Sequence, residues 1–142
     1  MAKAAATRGA LLAGADLNKD KALLDAACND ATGATAAFNL NLLARINREL
    51  GADFQLQRFS HKSFYDENQG RVEMRIESRA AQLVHLGGVR LHFGQGETID
   101  TEISCKYSVE QFRAMAQRAG FEADQTWIDT ANLFGVHGMI AV

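Results

Sequence analysis

Glu97–Tyr107 reads E-T-I-D-T-E-I-S-C-K-Y, and its alternation has the period of a β-strand. Ile99, Thr101, Ile103, Cys105 and Tyr107 fall on one side, and Asp100, Glu102, Ser104 and Lys106 on the other. Side chains two apart on a strand face stand roughly 6.5–7 Å from each other, so a carboxylate, a hydroxyl and an ammonium line one short edge. Two readings fit this pattern. One is a half-buried strand with a wet polar face; the other is a recognition strip for a small polar molecule. Alternation alone does not choose between them.

Upstream, the period of two begins at Arg71, where Val72, Met74 and Ile76 alternate with Glu73, Arg75 and Glu77. Gln82–Leu86 and Val89–Phe93 follow, separated by the hairpin signal Gly87-Gly88. Gly94-Gln95-Gly96 turns the chain into Glu97–Tyr107. The expectation is an antiparallel meander of about four strands. A strand rather than a helix follows that G-x-G, so it reads as a turn and not as a phosphate loop. Asp53–Gly70 is aromatic but irregular and reads as a partly packed loop or short strands. Within it His61 has no second metal ligand at a suitable spacing, which favours a bond to a nearby backbone carbonyl.

Downstream, Ser108 and Gln111 form a capping box for a helix with the stripe Val109, Phe112, Met115, Ala116, Ala119, closed by Gly120. Phe121–Ile128 and Phe134–Val142 read as two closing strands, with His137 a core or edge histidine. At the other end, the apolar run Ala10–Ala15 reads as a buried strand of the parallel-sheet kind. Asp20 caps a short helix through Leu23, Leu24, Ala27 and Cys28, and the polar cluster 29–33 breaks it. Thr35–Leu50 is the clearest helix, stopped by Gly51. Its core stripe is Ala36, Leu40, Leu43, Ile46 and Leu50, with Asn39 and Asn47 inside it. Phe38 projects from nearly the opposite side, near Asn41 and Arg45. Either neighbouring elements satisfy the amides and cover the ring, or this helix touches two layers, one of which holds a site.

The 142 residues suit one domain with a real core. With 47% hydrophobic residues, 23% charged and a net charge of −2, nothing argues for nucleic acid or an anionic membrane. Phe134–Val142, like every other uncharged run, is too short to span a bilayer. Met1–Ala6 has no apolar core behind its lysine, so no secretory leader is read there. Cys28 and Cys105 have neither metal-ligand spacing nor a disulfide framework, which makes a reducing cytoplasm the expected location.

Three stretches carry a resemblance: L-L-A-G-A-D-L-N-K-D at 11–20, G-A-T-A-A-F-N-L-N-L-L-A-R-I-N-R-E-L at 33–50, and T-E-I-S-C-K-Y at 101–107. R-V-E-M-R-I at 71–76 and W-I-D-T-A-N-L-F at 127–134 agree in order and spacing. Together they resemble the histidine-specific, S-adenosylmethionine-dependent Nα-methyltransferases, which include the enzyme that makes trimethylhistidine for ergothioneine synthesis.

The resemblance implies an α+β chain with residues 18–106 as a substrate-recognition domain. Residues 1–17 and 107–142 would be a remnant of the class I methyltransferase sheet: one strand, the last helix and the terminal hairpin. Strands one to four, and the acidic glycine-rich loop that holds the cofactor, have no match here. S-adenosylmethionine is therefore the family's cofactor, but tight binding by this chain alone is not expected. Glu102 and Ser104 match the pair that grips the substrate imidazole. Phe38 and Met74 match apolar walls of that pocket. Cys28 stands where the family usually has a tyrosine on the substrate carboxylate, and a thiol is a weaker donor. The implied partners are a histidine-like amino acid, a polypeptide carrying the cofactor-binding half, or a second copy of the chain. The functions left open are the substrate-binding portion of a methyltransferase, a stand-alone binding module, and an inactive remnant.

Overall fold

Residues 8–142 are described by a computed structural model. The reading of Met1–Ala6 lies outside the described residues. Among the described residues the chain is mixed α and β, with three α-helices, α1 (Lys21–Cys28), α2 (Ala34–Leu50) and α3 (Val109–Arg118). Its strands are β1 (Ala10–Asp16), β2 (Phe59–Asp66), β3 (Arg71–Ser78), β4 (Gln82–Leu86), β5 (Val89–Phe93), β6 (Thr98–Cys105), β7 (Phe121–Ile128) and β8 (Phe134–Ala141). They divide into two compact units, one of Lys21–Ser104 and one of Met1–Asp20 with Cys105–Val142. None of the described helices is long and apolar enough to cross a membrane.

In the Lys21–Ser104 unit the sheet order is β2-β3-β6, and β4 and β5 form a separate hairpin. The expected sequential meander is thus corrected: β6 skips the hairpin and returns to β3. The Ser78 N–H donates to the Glu97 carbonyl at 2.8 Å, and the Thr101 hydroxyl donates to the Met74 carbonyl at 2.9 Å. The hairpin leaves the sheet because Val84 is needed in the core, where it joins Leu43, Phe54, Phe59 and Ile76. The rings of Phe54, Phe59 and Phe93 meet at centroid distances of 5.6–6.1 Å. Asp53–Gly70 is corrected too. Its second half is the regular strand β2, paired with β3 from Phe59↔Ser78 to Asp66↔Arg71. The chain there had no clean alternation because β2 spends a polar side chain on a helix: His61 Nε2 lies 3.1 Å from the Cys28 carbonyl at the end of α1, and the Ser63 backbone carbonyl accepts from the Asn29 side chain just beyond it.

The helix α2 begins where Asp30 accepts from the Ala34 and Thr35 N–H groups at 3.1 and 2.9 Å. The Thr32 hydroxyl, first, and the Thr35 N–H hold the Asp30 carboxyl well below the usual carboxylate range. At the other end Gly51 takes φ of 65°, which an L-residue with a side chain resists. Leu43 and Asn39 are its buried residues, whereas Leu50 is largely exposed, so the inward stripe ends one turn earlier than the periodicity predicts. Asn47 grips the returning chain through two bonds of 2.8 Å, to the N–H and the carbonyl of Phe54. Neighbouring elements thus bond both amides of the stripe, but the Phe38 ring stays 72% exposed, so that expectation holds only for the amides.

In the second unit the sheet order is β1-β8-β7. β1 is antiparallel to β8, from Ala10↔Ile140 to Asp16↔Phe134. This corrects the parallel-sheet reading; only the single bridge Leu17↔Tyr107 beyond its end is parallel. Nor is β1 buried throughout, because Leu12 is 69% exposed. The capping box is present as expected, with Ser108 accepting from the Gln111 N–H at 3.1 Å and donating to the Gln111 side chain at 2.8 Å. Ala116 of α3 packs on Phe121, Met139 and Ala141. Lys106 does not join the polar strip. It is 8% exposed and pairs with Asp16 at 2.7 Å, because a buried ammonium needs a counter-charge.

His137 is buried in this unit, stacked on Phe112 at a centroid distance of 4.4 Å. Its Nδ1 lies 3.4 Å from the Thr126 hydroxyl, and its Nε2 has no partner among the described residues. Gly135 leaves room for the ring, since a Cβ there would stand 3.0 Å from Nε2. Burial, then the nearby Arg113, holds the His137 pKa below the usual 6.5. In the folded unit the ring therefore stays neutral while the unfolded chain takes up a proton. Stability is complete above pH 6.5 and falls as the pH drops from there toward the lowered folded value. Asp16, raised by burial but lowered further by Lys106 and Lys19, acts only below its usual 3.8. Thermal unfolding of the wild type should thus show a midpoint that declines as the pH falls below 6.5. His137→Gln should flatten that slope, and an unchanged slope would count against this account.

Candidate functional site

The residues of α2 that do not face the core decide where a ligand could sit. Phe38, Asn41, Leu42 and Arg45 recur at helical spacing on its outer side. With Asn39, and with Thr101 and Glu102 of β6, they line a cleft of about 170 Å³. That is below the roughly 300–1,000 Å³ of drug-sized pockets and suits a small molecule. Phe38 is 72% exposed, a large ring that no described element covers. The cleft carries a carboxylate at Glu102 and a guanidinium at Arg45, whose Nε pairs with Glu49 at 3.2 Å. A lining that holds a carboxylate, a guanidinium and an aromatic ring offers contacts of the kinds a zwitterion with a flat ring can use.

Beneath the cleft, Asn39 donates to the Arg75 carbonyl at 3.1 Å and lies 2.9 Å from His61 Nδ1. His61 Nε2 in turn meets the Cys28 carbonyl at 3.1 Å. As expected, His61 serves a backbone carbonyl. The strand carrying Glu102 is tied down beside it. Arg75 pairs with Asp100 at 2.8 Å and with Glu73 at 2.5 Å, and its guanidinium lies 5.0 Å from the centre of the Phe64 ring. Arg71 reaches the same Glu73 at 2.6 Å. The Arg71 bond, ahead of Arg75 and against burial, holds the Glu73 carboxyl below its usual value. One arginine thus touches all three strands of the sheet.

Of the five residues singled out from the sequence, Phe38 and Glu102 meet in this cleft. Met74, Ser104 and Cys28 do not line it. Met74 is half-buried and contributes its carbonyl, which holds Thr101. Ser104 is half-buried two residues beyond Glu102. Cys28 ends α1, its thiol free and half-buried. The lining residues that the sequence did not single out are Asn39, Asn41, Leu42, Arg45 and Thr101. Asn39 gave a signal, a polar residue on an apolar stripe, but its partners lie more than twenty residues away.

The family model of histidine-specific, S-adenosylmethionine-dependent methyltransferases matches residues 1–141. The chain belongs to that family. It is similar to the histidine N-alpha-methyltransferase of Mycolicibacterium smegmatis, 43% identical over 128 residues that make up 89% of this chain and 40% of the relative. It is also similar to the protein of the same name from Mycobacterium tuberculosis, 41% identical over 128 residues, again 89% of this chain and 40% of the relative. The chain therefore spans about 40% of the length of these curated relatives.

The cofactor named in the family's description has no fitting cradle among the described residues of this methyltransferase-family chain. The link from β1 to α1, Leu17-Asn18-Lys19-Asp20, contains no glycine. The sole G-x-G of the described chain, Gly94-Gln95-Gly96, joins strand to strand. A glycine-rich turn from strand into helix, which brings backbone N–H groups close to a nucleotide, is not formed.

Proposed function

We propose that this chain supplies the substrate-recognition portion of a histidine Nα-methyltransferase and binds the imidazole amino acid in the cleft between α2 and β6. The carrying observation is the convergence of Phe38 and Glu102, far apart in sequence, on one small cleft that Arg45 also lines. Glu102 accepts an imidazole N–H, and Phe38 provides an apolar wall. Ser104 and Met74 support the strand and sheet around them, and Cys28 leaves carboxylate binding to other groups such as Arg45. Residues 18–106 form the recognition domain in this reading, and β1, α3 and the β7–β8 hairpin are a piece of the methyltransferase sheet. The location is the cytoplasm. Calorimetric titration of the chain with histidine and, separately, with S-adenosylmethionine tests the proposal. Saturable histidine binding with weak or no cofactor binding is expected; no histidine binding would overturn it.

The absence of a fitting cofactor cradle favours a second component to the function, a partner for the other unit. β8 alternates buried and less buried positions, so Gly135, His137, Met139 and Ala141 face α3 while Phe134, Val136 and Ile140 face away. Leu12, opposite Gly138, and Trp127, opposite Val136, lie on that same outward face, and Leu12, Trp127 and Phe134 are exposed. β1 is one of the two edges of this sheet among the described strands. An apolar face joined to an open strand edge is a surface that associates. Either a polypeptide carrying the rest of the family sheet or a second copy covers it. Sedimentation of the purified chain across a concentration series should reveal self-association, and a single monomeric species at high concentration would count against it.

A further inference from the structure

We infer that His137 is a proton-operated latch for α3: protonation of its ring releases the helix from the β1-β8-β7 sheet while the sheet stays folded. α3 is 10 residues long, and Ala116 is its one buried residue. So short a helix does not persist without packing. Two further contacts of the helix converge on the histidine. Phe112 stacks on the ring at a centroid distance of 4.4 Å with the planes 29° apart. Arg113 donates to the Thr126 hydroxyl at 3.0 Å, and that oxygen lies 3.4 Å from His137 Nδ1. β8, which carries the ring, is held along both edges by β1 and β7, through bonds that no side-chain proton touches.

With the ring neutral, one hydroxyl serves both neighbours: the Thr126 oxygen accepts from Arg113 and its hydrogen goes to Nδ1. His137 then carries its proton on Nε2, which no described group accepts. A second proton makes Nδ1 a donor too. It meets an oxygen already taken by a guanidinium, so two cations share one neutral hydroxyl around a ring that is 2% exposed. An uncompensated buried charge is the costly case. Among the described residues no carboxylate offsets it. On α3, Glu110 acts on Arg113. On β7, Glu122 lies opposite Ile140 on the outward face, and Asp124 is exposed at the bulge. On β1, Asp16 is paired with Lys106 and Lys19. Tyr107, ahead of α3, meets the Phe112 ring edge-on and keeps its proton well above neutrality. Releasing α3 removes Phe112 and Arg113 together and opens the charged ring to water.

Hydrogen exchange of the 142-residue chain, read peptide by peptide by mass spectrometry and corrected for the intrinsic pH dependence of exchange, tests the latch. Once α3 has left, the ring takes up a proton at its ordinary value of 6.5; in the closed unit burial and then Arg113 hold that value lower. Opening of α3 should therefore be level above pH 6.5 and grow by up to about tenfold for each pH unit below it. Peptides of β8 should keep their protection over the same range. His137→Gln should make α3 protection independent of pH. Arg113→Gln removes the competing cation, so the closed ring protonates more readily and the loss should level off at a higher pH than in the wild type. Loss of protection by α3 and β8 together would mean that the unit unfolds as a whole, and α3 protection that stays level through pH 6.5 would mean that the ring holds nothing shut; either result overturns the inference. If a variant does not fold, the comparison of α3 with β8 in the wild type decides alone.

Discussion

Replacing Glu102 with alanine is expected to weaken histidine binding about tenfold. A hydrogen bond to a charged group contributes roughly 1.5–3 kcal/mol, and about 1.4 kcal/mol is a factor of ten in affinity. Glu102 is exposed at the mouth of the cleft, where water competes for its oxygens, so the low end of that range applies. Arg75 and Asp100 hold β6 in place without Glu102, so the substitution should leave the fold intact. Unchanged circular dichroism with a tenfold loss is the expected pair of results. Equal histidine binding by both proteins would show that the polar side of β6 is only a wetted strand face.

Leu43→Ala should cost the Lys21–Ser104 unit about 2–5 kcal/mol, the range found for removing a large aliphatic side chain from a closed core. Leu43 is 0% exposed and lies among Phe54, Phe59, Ile76 and Val84, all ring-bearing or β-branched groups that cannot collapse far into the space. The damage also reaches the cleft. Leu43 lies one turn from Asn39 on the inner side of α2, and the helix it anchors carries Phe38, Leu42 and Arg45 on the outer side. Histidine affinity should therefore fall with stability. Urea titration measures the first and calorimetry the second; a loss below about 1 kcal/mol would mean the core refills more readily than its contacts imply.

What the sequence disclosed follows the range of the interactions involved. Local signals were read correctly: the Ser108–Gln111 cap, the Gly51 stop and the two closing strands. Failures came where a residue answers to something distant. β2 hid its period because the His61 side chain serves a helix thirty-three positions earlier in the chain. The detour of β4 and β5 could not be read, since Gly87-Gly88 encodes a hairpin but not which sheet receives it. Lys106 continued the alternation of its strand, yet Asp16, ninety positions earlier, takes it. In the cleft, Phe38 and Glu102 stood out through the family likeness. Thr101 and Asn39 matter through contacts with Met74, His61 and Arg75 that no spacing encodes.

The seam where the second unit is interrupted has a kinetic consequence. Asn18 donates to the Tyr107 carbonyl at 3.0 Å, Tyr107 donates to the Asp16 carbonyl at 3.2 Å, and Lys106 pairs with Asp16 at 2.7 Å. This seam joins the two sides of a single long excursion of chain, the whole Lys21–Ser104 unit. Closing so long a flexible loop carries an entropic cost that grows with its length. Once the excursion has folded on its own core, its two ends are no longer free to wander, and most of that cost is gone. Assembly thus acquires a direction, with the inserted unit first and the seam last. Trp127, the single tryptophan of the chain, sits in the late unit. Its fluorescence during refolding should lag behind the far-ultraviolet circular dichroism, and two coincident signals would mean both units form in one step.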